Sequence, residues 1–197
     1  MKELWVEKYR PKTIDGYVFK DDAQRNQVVT WIKDKSIPHL LFSGNAGIGK
    51  TTLAKLIVNN LDCDYLYINA SDERGIETIR DKVTSFSSTA SFRQIKVVIL
   101  DEADFLTIQA QASLRNVIEK FSRSTRFIMT CNYVERIIDP LQSRCQVLKI
   151  IPPSKQEVAR HLADILNKED FYWNSTFVLS TLLNKVVSLG GEERIFV

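Results

Sequence analysis

Four groups of residues in this chain carry side chains suited to chemistry on a phosphate. The first is Gly44-Asn45-Ala46-Gly47-Ile48-Gly49-Lys50-Thr51-Thr52, whose first eight residues have the G-x-x-x-x-G-K-[ST] spacing of a phosphate-binding loop. Glycines let backbone N–H groups turn toward phosphate oxygens with no Cβ in the way. A helix starting near Lys50 presents its positive end to the same anion. Lys50 has the reach for β- and γ-phosphates, and Thr51 has a hydroxyl for Mg2+. The second group is Asp101-Glu102, at the end of "KVVILDE". Asp101 suits the shell of a Mg2+ ion, and Glu102 suits a base that orients and deprotonates water. The third is Asn132 after "RFIMTC", an amide able to bond a γ-phosphate or the attacking water. The fourth is Arg144 in "LQSRC", a cation that stabilises transition-state charge when a neighbouring subunit receives it. The combined chemistry is hydrolysis of ATP assisted by Mg2+. Taken singly, Asn132 also reads as a turn residue, Arg144 as one half of a surface salt bridge, and Asp101-Glu102 as a solvated turn.

These residues need a scaffold that brings distant segments together. "HLLFSG", "YLYINA", "KVVIL", "RFIMT" and "QVLKI" are short apolar runs, read as five strands buried on both faces. Helical patterns lie between them, at about 22–33, 50–61, 75–86 and 108–121. Strand–helix alternation predicts an α/β fold with a doubly wound, five-stranded parallel sheet. In such sheets the ligand lies at the carboxyl ends of the strands, where Asp101 and Asn132 fall.

Pro152-Pro153 cannot donate to a strand ladder and end the last strand. Ser154 and Glu157 have capping-box spacing, and the pattern beyond is helical only, over about 155–167 and 175–188. The boundary is placed there: residues 1–151 form a nucleotide-binding core and 152–197 a small helical appendage. Two helices make a poor core on their own. The chain is therefore expected to be truncated, or its tail to depend on a neighbour.

Length, charge and cysteine content narrow the class. The 197 residues suit one ordinary domain with a small addition. No apolar run approaches the ~20 residues that span a bilayer. "MKELWVEKYR" has no apolar signal core, so a cytoplasmic protein with no membrane partner is expected. Cys63, Cys131 and Cys145 are far apart and odd in number, which predicts reduced, mostly buried thiols. A net charge of +3 from intermingled acids and bases permits a nucleic-acid partner without requiring one.

In this order, the elements resemble the AAA+ ATPases and, within them, the clamp-loader family. "WVEKYRPKTIDGYV" is similar to that family's N-terminal box and "NASDERGIETIRDKV" to its stretch after the second strand. "LDEADFLTIQAQASLRNVIEKF" resembles the DEAD-box segment, "TCN" sensor 1, and "SRC" the arginine-finger motif. The family includes replication factor C small subunits and the ATPase subunit of T4-type phage loaders. "YVFKDD", "KSIPHLLFSG" and "GNAGIGKTT" lean to the phage branch, which would make the compartment the host cytoplasm.

The resemblance implies ATP and Mg2+ as cofactors. It implies a sliding clamp, primer–template DNA and other loader subunits as partners, in a spiral pentamer. It assigns Val6, Arg10 and Pro11 to the adenine site and Arg194 to sensor 2 of a lid domain, although Glu192 stands where the family usually has Asp. Arg80 matches a basic position linked to DNA contact and to switching of Glu102, and Arg115 a basic interface position. Read from the residues alone, Arg80 also suits an ordinary exposed helix face, and Arg115 a salt bridge along its helix. Family members continue through a three-helix lid into a helical collar, whereas this chain stops just after Arg194. Two other readings remain at this point. One is a nucleotide-binding subunit that does not hydrolyse, which Glu102 and Arg144 argue against. The other is a different AAA+ DNA-remodelling ATPase, which the "SRC" motif and the N-terminal box argue against.

Overall fold

The computed structural model describes residues 8–72, 76–91 and 93–169. Val6, Gly75, Arg194 and the helix expected over 175–188 lie outside them. The strands are β1 (Leu40–Ser43), β2 (Cys63–Asn69), β3 (Ile95–Asp101), β4 (Thr125–Cys131) and β5 (Gln146–Lys149). They form one all-parallel sheet in the order β2-β3-β4-β1-β5. The helices are α1 (Asp22–Lys33), α2 (Lys50–Asn60), α3 (Ile76–Ser88), α4 (Ile108–Phe121), α5 (Asp139–Gln142) and α6 (Lys155–Lys168). Among the described residues, no helix is long and apolar enough to cross a membrane.

Alternation along the central strands produces two separate cores. Leu40, Phe42, Val97, Ile99 and Ile128 pack on one face with Val28 of α1 and Leu53 and Ile57 of α2. Leu41, Val98, Leu100, Phe127 and Met129 pack on the other with Ile79 and Val83 of α3 and Leu114 and Ile118 of α4. Successive strand side chains point to opposite faces, so a run such as Val97-Val98-Ile99-Leu100 supplies both cores. Each fully buried Val, Ile or Leu contributes about 1.5–3 kcal/mol. That is why Val97–Leu100 of β3 and Phe127–Met129 of β4 are all apolar, while Lys96, Thr125 and Arg126 stand toward the amino ends of those strands.

The expectation of five strands buried on both faces holds for β1, β3 and β4 and fails for the two edges. On β2, Tyr65 and Tyr67 are 49% and 37% exposed, and on β5 Val147 is 45% exposed. An edge strand has one sheet neighbour, and its outer side chains lie beyond the covering helices. Apolar composition alone does not distinguish such a strand from a central one.

Local signals account for the helix starts. Asp21 caps α1 by accepting from the Gln24 N–H, and Thr107 caps α4 by accepting from the Ala110 N–H. Each such cap is worth about 1 kcal/mol. At α6, Ser154 and Glu157 form the reciprocal capping box. All three cysteines are free; Cys131 is buried, while Cys63 and Cys145 are partly so. Burial pushes the Cys63 thiol up to about 11, and Cys131 and Cys145 to about 12, so all three are protonated near neutral pH.

Candidate active site

The loop between β1 and α2 is built on backbone that only glycine adopts easily. Gly44, Gly47 and Gly49 have φ of 147°, 77° and 91°. A Cβ at Gly44 would stand 2.3 Å from the Ile150 carbonyl oxygen, and one at Gly49 would stand 3.2 Å from the Tyr17 ring. The loop is thus pressed between the segment after β5 and the N-terminal segment. Ile48 turns inward as a core residue. Gly49 precedes α2 with no side-chain cap, so the first N–H groups of the helix remain for an anion.

Lys50 is 7% exposed, and its ammonium donates to the carbonyls of Gly44 at 2.8 Å and Asn45 at 2.5 Å, and to Asn132 Oδ1 at 2.8 Å. Burial lowers its pKa from the ordinary value, while Cys131, Asp104, Asp101 and Glu102 push it back up. The loop lysine and the amide after β4 therefore meet, although 82 residues separate them in sequence.

Asp101 closes β3 and is 6% exposed. Thr51 donates to its Oδ1 at 2.7 Å and sits 3.0 Å from Oδ2. Thr130 donates to Oδ1 at 2.6 Å, and Tyr67 to Oδ2 at 2.7 Å. Glu102 follows with a left-handed φ of 55°. A non-glycine residue rarely adopts that conformation, and such strain gathers at functional sites. The Glu102 N–H donates to Thr130 Oγ1 at 3.0 Å, which anchors the strained turn to β4.

These elements line one cavity of about 280 Å3. It is lined by Arg10, by the loop and α2 residues Ala46, Gly47, Gly49, Lys50, Thr51, Thr52 and Lys55, and by Tyr67, Asp101, Glu102, Thr130 and Asn132. The donor set fits a nucleotide phosphate with Mg2+. A threonine hydroxyl and one carboxylate are hard oxygen ligands, and Mg2+ ordinarily takes one or two protein oxygens and completes its shell with water and phosphate. No group of three or more His, Cys, Asp or Glu side chains able to hold a metal occurs among the described residues.

Other expected residues lie apart from this cavity. Pro11 is half-buried and does not line it, in contrast to Arg10. Arg144, just after α5, donates to the Pro140 carbonyl at 2.7 Å and pairs with Glu119 of α4. Arg115 lies 4.0 Å from the same carboxylate. The plain salt-bridge reading of both arginines thus describes them in the single chain. Arg80 is exposed on α3 beside Asp81, at 3.3 Å.

Sequence reasoning missed Thr130, Tyr67, Lys55 and Asp104. Asp104 is 6% exposed, and its Oδ2 accepts the N–H groups of Asn132 at 3.2 Å and Tyr133 at 3.3 Å. It holds the turn that aims Asn132 at Lys50. The available signal was position: Thr130 precedes the Cys131-Asn132 strand end, and Asp104 follows the Asp101-Glu102 pair.

Comparison with known proteins agrees with this geometry. The chain matches the model of the AAA family, "ATPase family associated with various cellular activities", over residues 40–153. It is 45% identical to the replication factor C small subunit of Archaeoglobus fulgidus over 174 residues, covering 85% of this chain and 54% of that protein. It is likewise 45% identical to the same subunit of Sulfurisphaera tokodaii over 173 residues, covering 84% and 53%. The chain thus spans about half the length of the curated relatives it matches. Among solved structures it is similar to the RuvB Holliday junction branch migration motor of Thermotoga maritima. That likeness has a TM-score of 0.72 and 18% identity, covers 87% of this chain and 58% of that one, and reflects a shared fold. By sheet order, loop geometry and family match together, the chain belongs to the AAA family of ATPases.

Proposed function

We propose that this chain is an ATPase subunit of a DNA polymerase sliding-clamp loader. The observation that carries the reading is the 45% identity over 174 residues to a replication factor C small subunit, because the phosphate-binding cavity alone suits any member of the wider family. In this reading ATP binding drives clamp opening and grip on primer–template DNA, and hydrolysis releases the closed clamp on DNA. Full activity requires the other subunits, the clamp and DNA, and the compartment is the cytoplasm.

The roles follow from charge and position. Gly44–Gly49 and the start of α2 bind the phosphates through backbone N–H groups, and Lys50 exchanges its carbonyl partners for β- and γ-phosphate oxygens. Thr51 and Asp101 would hold Mg2+, Asp101 partly through water, and the ion would there supply positive charge against the phosphates. Glu102 takes the proton of the attacking water. Asn132, fixed by Asp104, orients that water or the γ-phosphate. Arg10, with Val6, Pro11 and Arg194, belongs to the adenine and lid side. Residues 1–151 act as the nucleotide-binding core and 152–197 as part of a lid.

Replacing Lys50 tests the foundation. Lys50→Ala removes the ammonium bonded to the Gly44 and Asn45 carbonyls of the loop. Nucleotide affinity measured by calorimetry is expected to fall well over tenfold, since hydrogen bonds from charged groups carry about 1.5–3 kcal/mol each. Unchanged affinity would remove the phosphate-loop assignment.

Arg80 is the proposed DNA contact, on the observation that its side chain is 49% exposed and, among the described residues, pairs with the neighbouring Asp81. Such a surface pair is worth about 0–1 kcal/mol and yields readily to a phosphate. In an assembled loader, Arg80→Glu is expected to weaken primer–template binding across all sequences and flatten its salt dependence, with ATP affinity intact. Titrations that superimpose on those of the unsubstituted loader at every salt concentration would reject the contact.

A further inference from the structure

The Asp101 carboxylate is held from both neighbouring strands. Thr130 of β4 donates to Oδ1 at 2.6 Å, and Tyr67 of β2 donates to Oδ2 at 2.7 Å. Thr130 is 1% exposed, and it also accepts the Glu102 N–H, so its orientation is set by the core. Tyr67 works from the solvent side. It is 37% exposed, lines the cavity, and has the Lys55 ammonium 4.7 Å from its ring centroid. The third donor, Thr51, straddles the two carboxylate oxygens at 2.7 and 3.0 Å.

The three donors are not equivalent. Thr51 is the hydroxyl that a Mg2+ ion claims in the reading above, so its bond to Asp101 is shared with the metal. Thr130 holds only Oδ1. Without Tyr67, Oδ2 keeps, among the described residues, only the Thr51 donor, and Thr130 holds the carboxylate by Oδ1 alone wherever Thr51 turns to the metal. Groups that hold a ligand's far oxygen set its orientation toward the metal, and their loss typically costs 10–100-fold in metal affinity. Lys55 adds to this arrangement. It stands one turn after Thr51 on α2, and a cation over the ring face restrains the phenol and draws electron density from it.

We propose that Tyr67 is a positioning residue for the metal site: its hydroxyl fixes the Asp101 carboxylate, with Lys55 bracing the ring, and so sets how tightly Mg2+ is held with ATP. The inference rests on the ATP-binding reading and deepens it. It places part of the metal site on the edge strand β2, outside the loop and the Asp-Glu pair.

The test is Tyr67→Phe, which keeps the ring and its contact with Lys55 and removes one hydroxyl. ATP affinity of the full chain is measured by calorimetry with Mg2+ and with EDTA, and ATP-dependent thermal stabilisation is followed across a Mg2+ titration. Tyr67→Phe is expected to leave metal-free ATP affinity and the melting temperature without nucleotide nearly unchanged. The Mg2+ concentration giving half-maximal stabilisation is expected to rise about tenfold, the lower end of the range for such contacts. A Mg2+ midpoint equal to that of the unsubstituted chain would overturn the proposal while leaving ATP binding established. An equal loss of ATP affinity with and without Mg2+ would also overturn it, by making Tyr67 a general support of the pocket. Failure of the unsubstituted chain to bind ATP at all would instead overturn the ATP-binding reading, and this inference with it.

Discussion

Arg144→Ala is expected to leave ATP affinity of the isolated chain nearly untouched and to cut turnover of an assembled loader by about 10³–10⁵, the worth of an arginine finger supplied to a neighbour. The residue is absent from the cavity lining of its own chain and pairs instead with Glu119 at the surface. A surface ion pair of this kind is worth about 0–1 kcal/mol. The transition-state contribution corresponds to about 4–7 kcal/mol, since each factor of ten is 1.36 kcal/mol. On these magnitudes, the pair with Glu119 would not prevent Arg144 from reaching a neighbouring subunit's γ-phosphate in the proposed assembly. The dilute single chain is accordingly expected to bind ATP and turn it over very slowly. Mixing provides the decisive measurement. Subunits carrying Arg144→Ala and subunits carrying Lys50→Ala are each expected to be inactive, and to regain some activity in mixed assemblies, where one interface type keeps both parts. Fast turnover by the dilute chain, or no recovery in verified mixed assemblies, would exclude action across a subunit interface.

Glu102→Gln is expected to separate binding from hydrolysis. The amide keeps the shape of the side chain but does not accept the proton of water. ATP affinity should persist, while turnover of the assembled loader falls by ~10²-fold or more, the scale of general-base catalysis. The backbone at Glu102 sharpens this expectation. Its left-handed φ is held by the bond from its N–H to Thr130, which glutamine retains. The melting temperature should therefore stay close to that of the unsubstituted chain, so a loss of turnover reports chemistry rather than folding. Turnover at the original rate would show that another group takes the proton.

Several features were legible in the sequence because their causes are local. The capping-box pair Ser154 and Glu157 stands at the start of the run it caps, and α6 begins at Lys155 where the pair implies. The phosphate loop was legible for the same reason: three glycines, a lysine and a threonine at fixed spacing require one backbone path, and Gly44, Gly47 and Gly49 follow it. Apolar runs of strand length also sufficed to expect the parallel sheet. What they could not reveal was lateral order. Strand neighbours are chosen by non-local packing, so nothing along the chain marked β2 and β5 as edges or their tyrosines and valine as half-exposed. The hold on Asp101 is of the same kind. Tyr67 and Thr130 are 34 and 29 residues from it in sequence, and they reach its two oxygens only because β2 and β4 flank β3. Spacing along the chain determined which residues could do chemistry on a phosphate. Only the tertiary structure decided which side chains hold those residues still, because that depends on contacts between strands that no local pattern encodes.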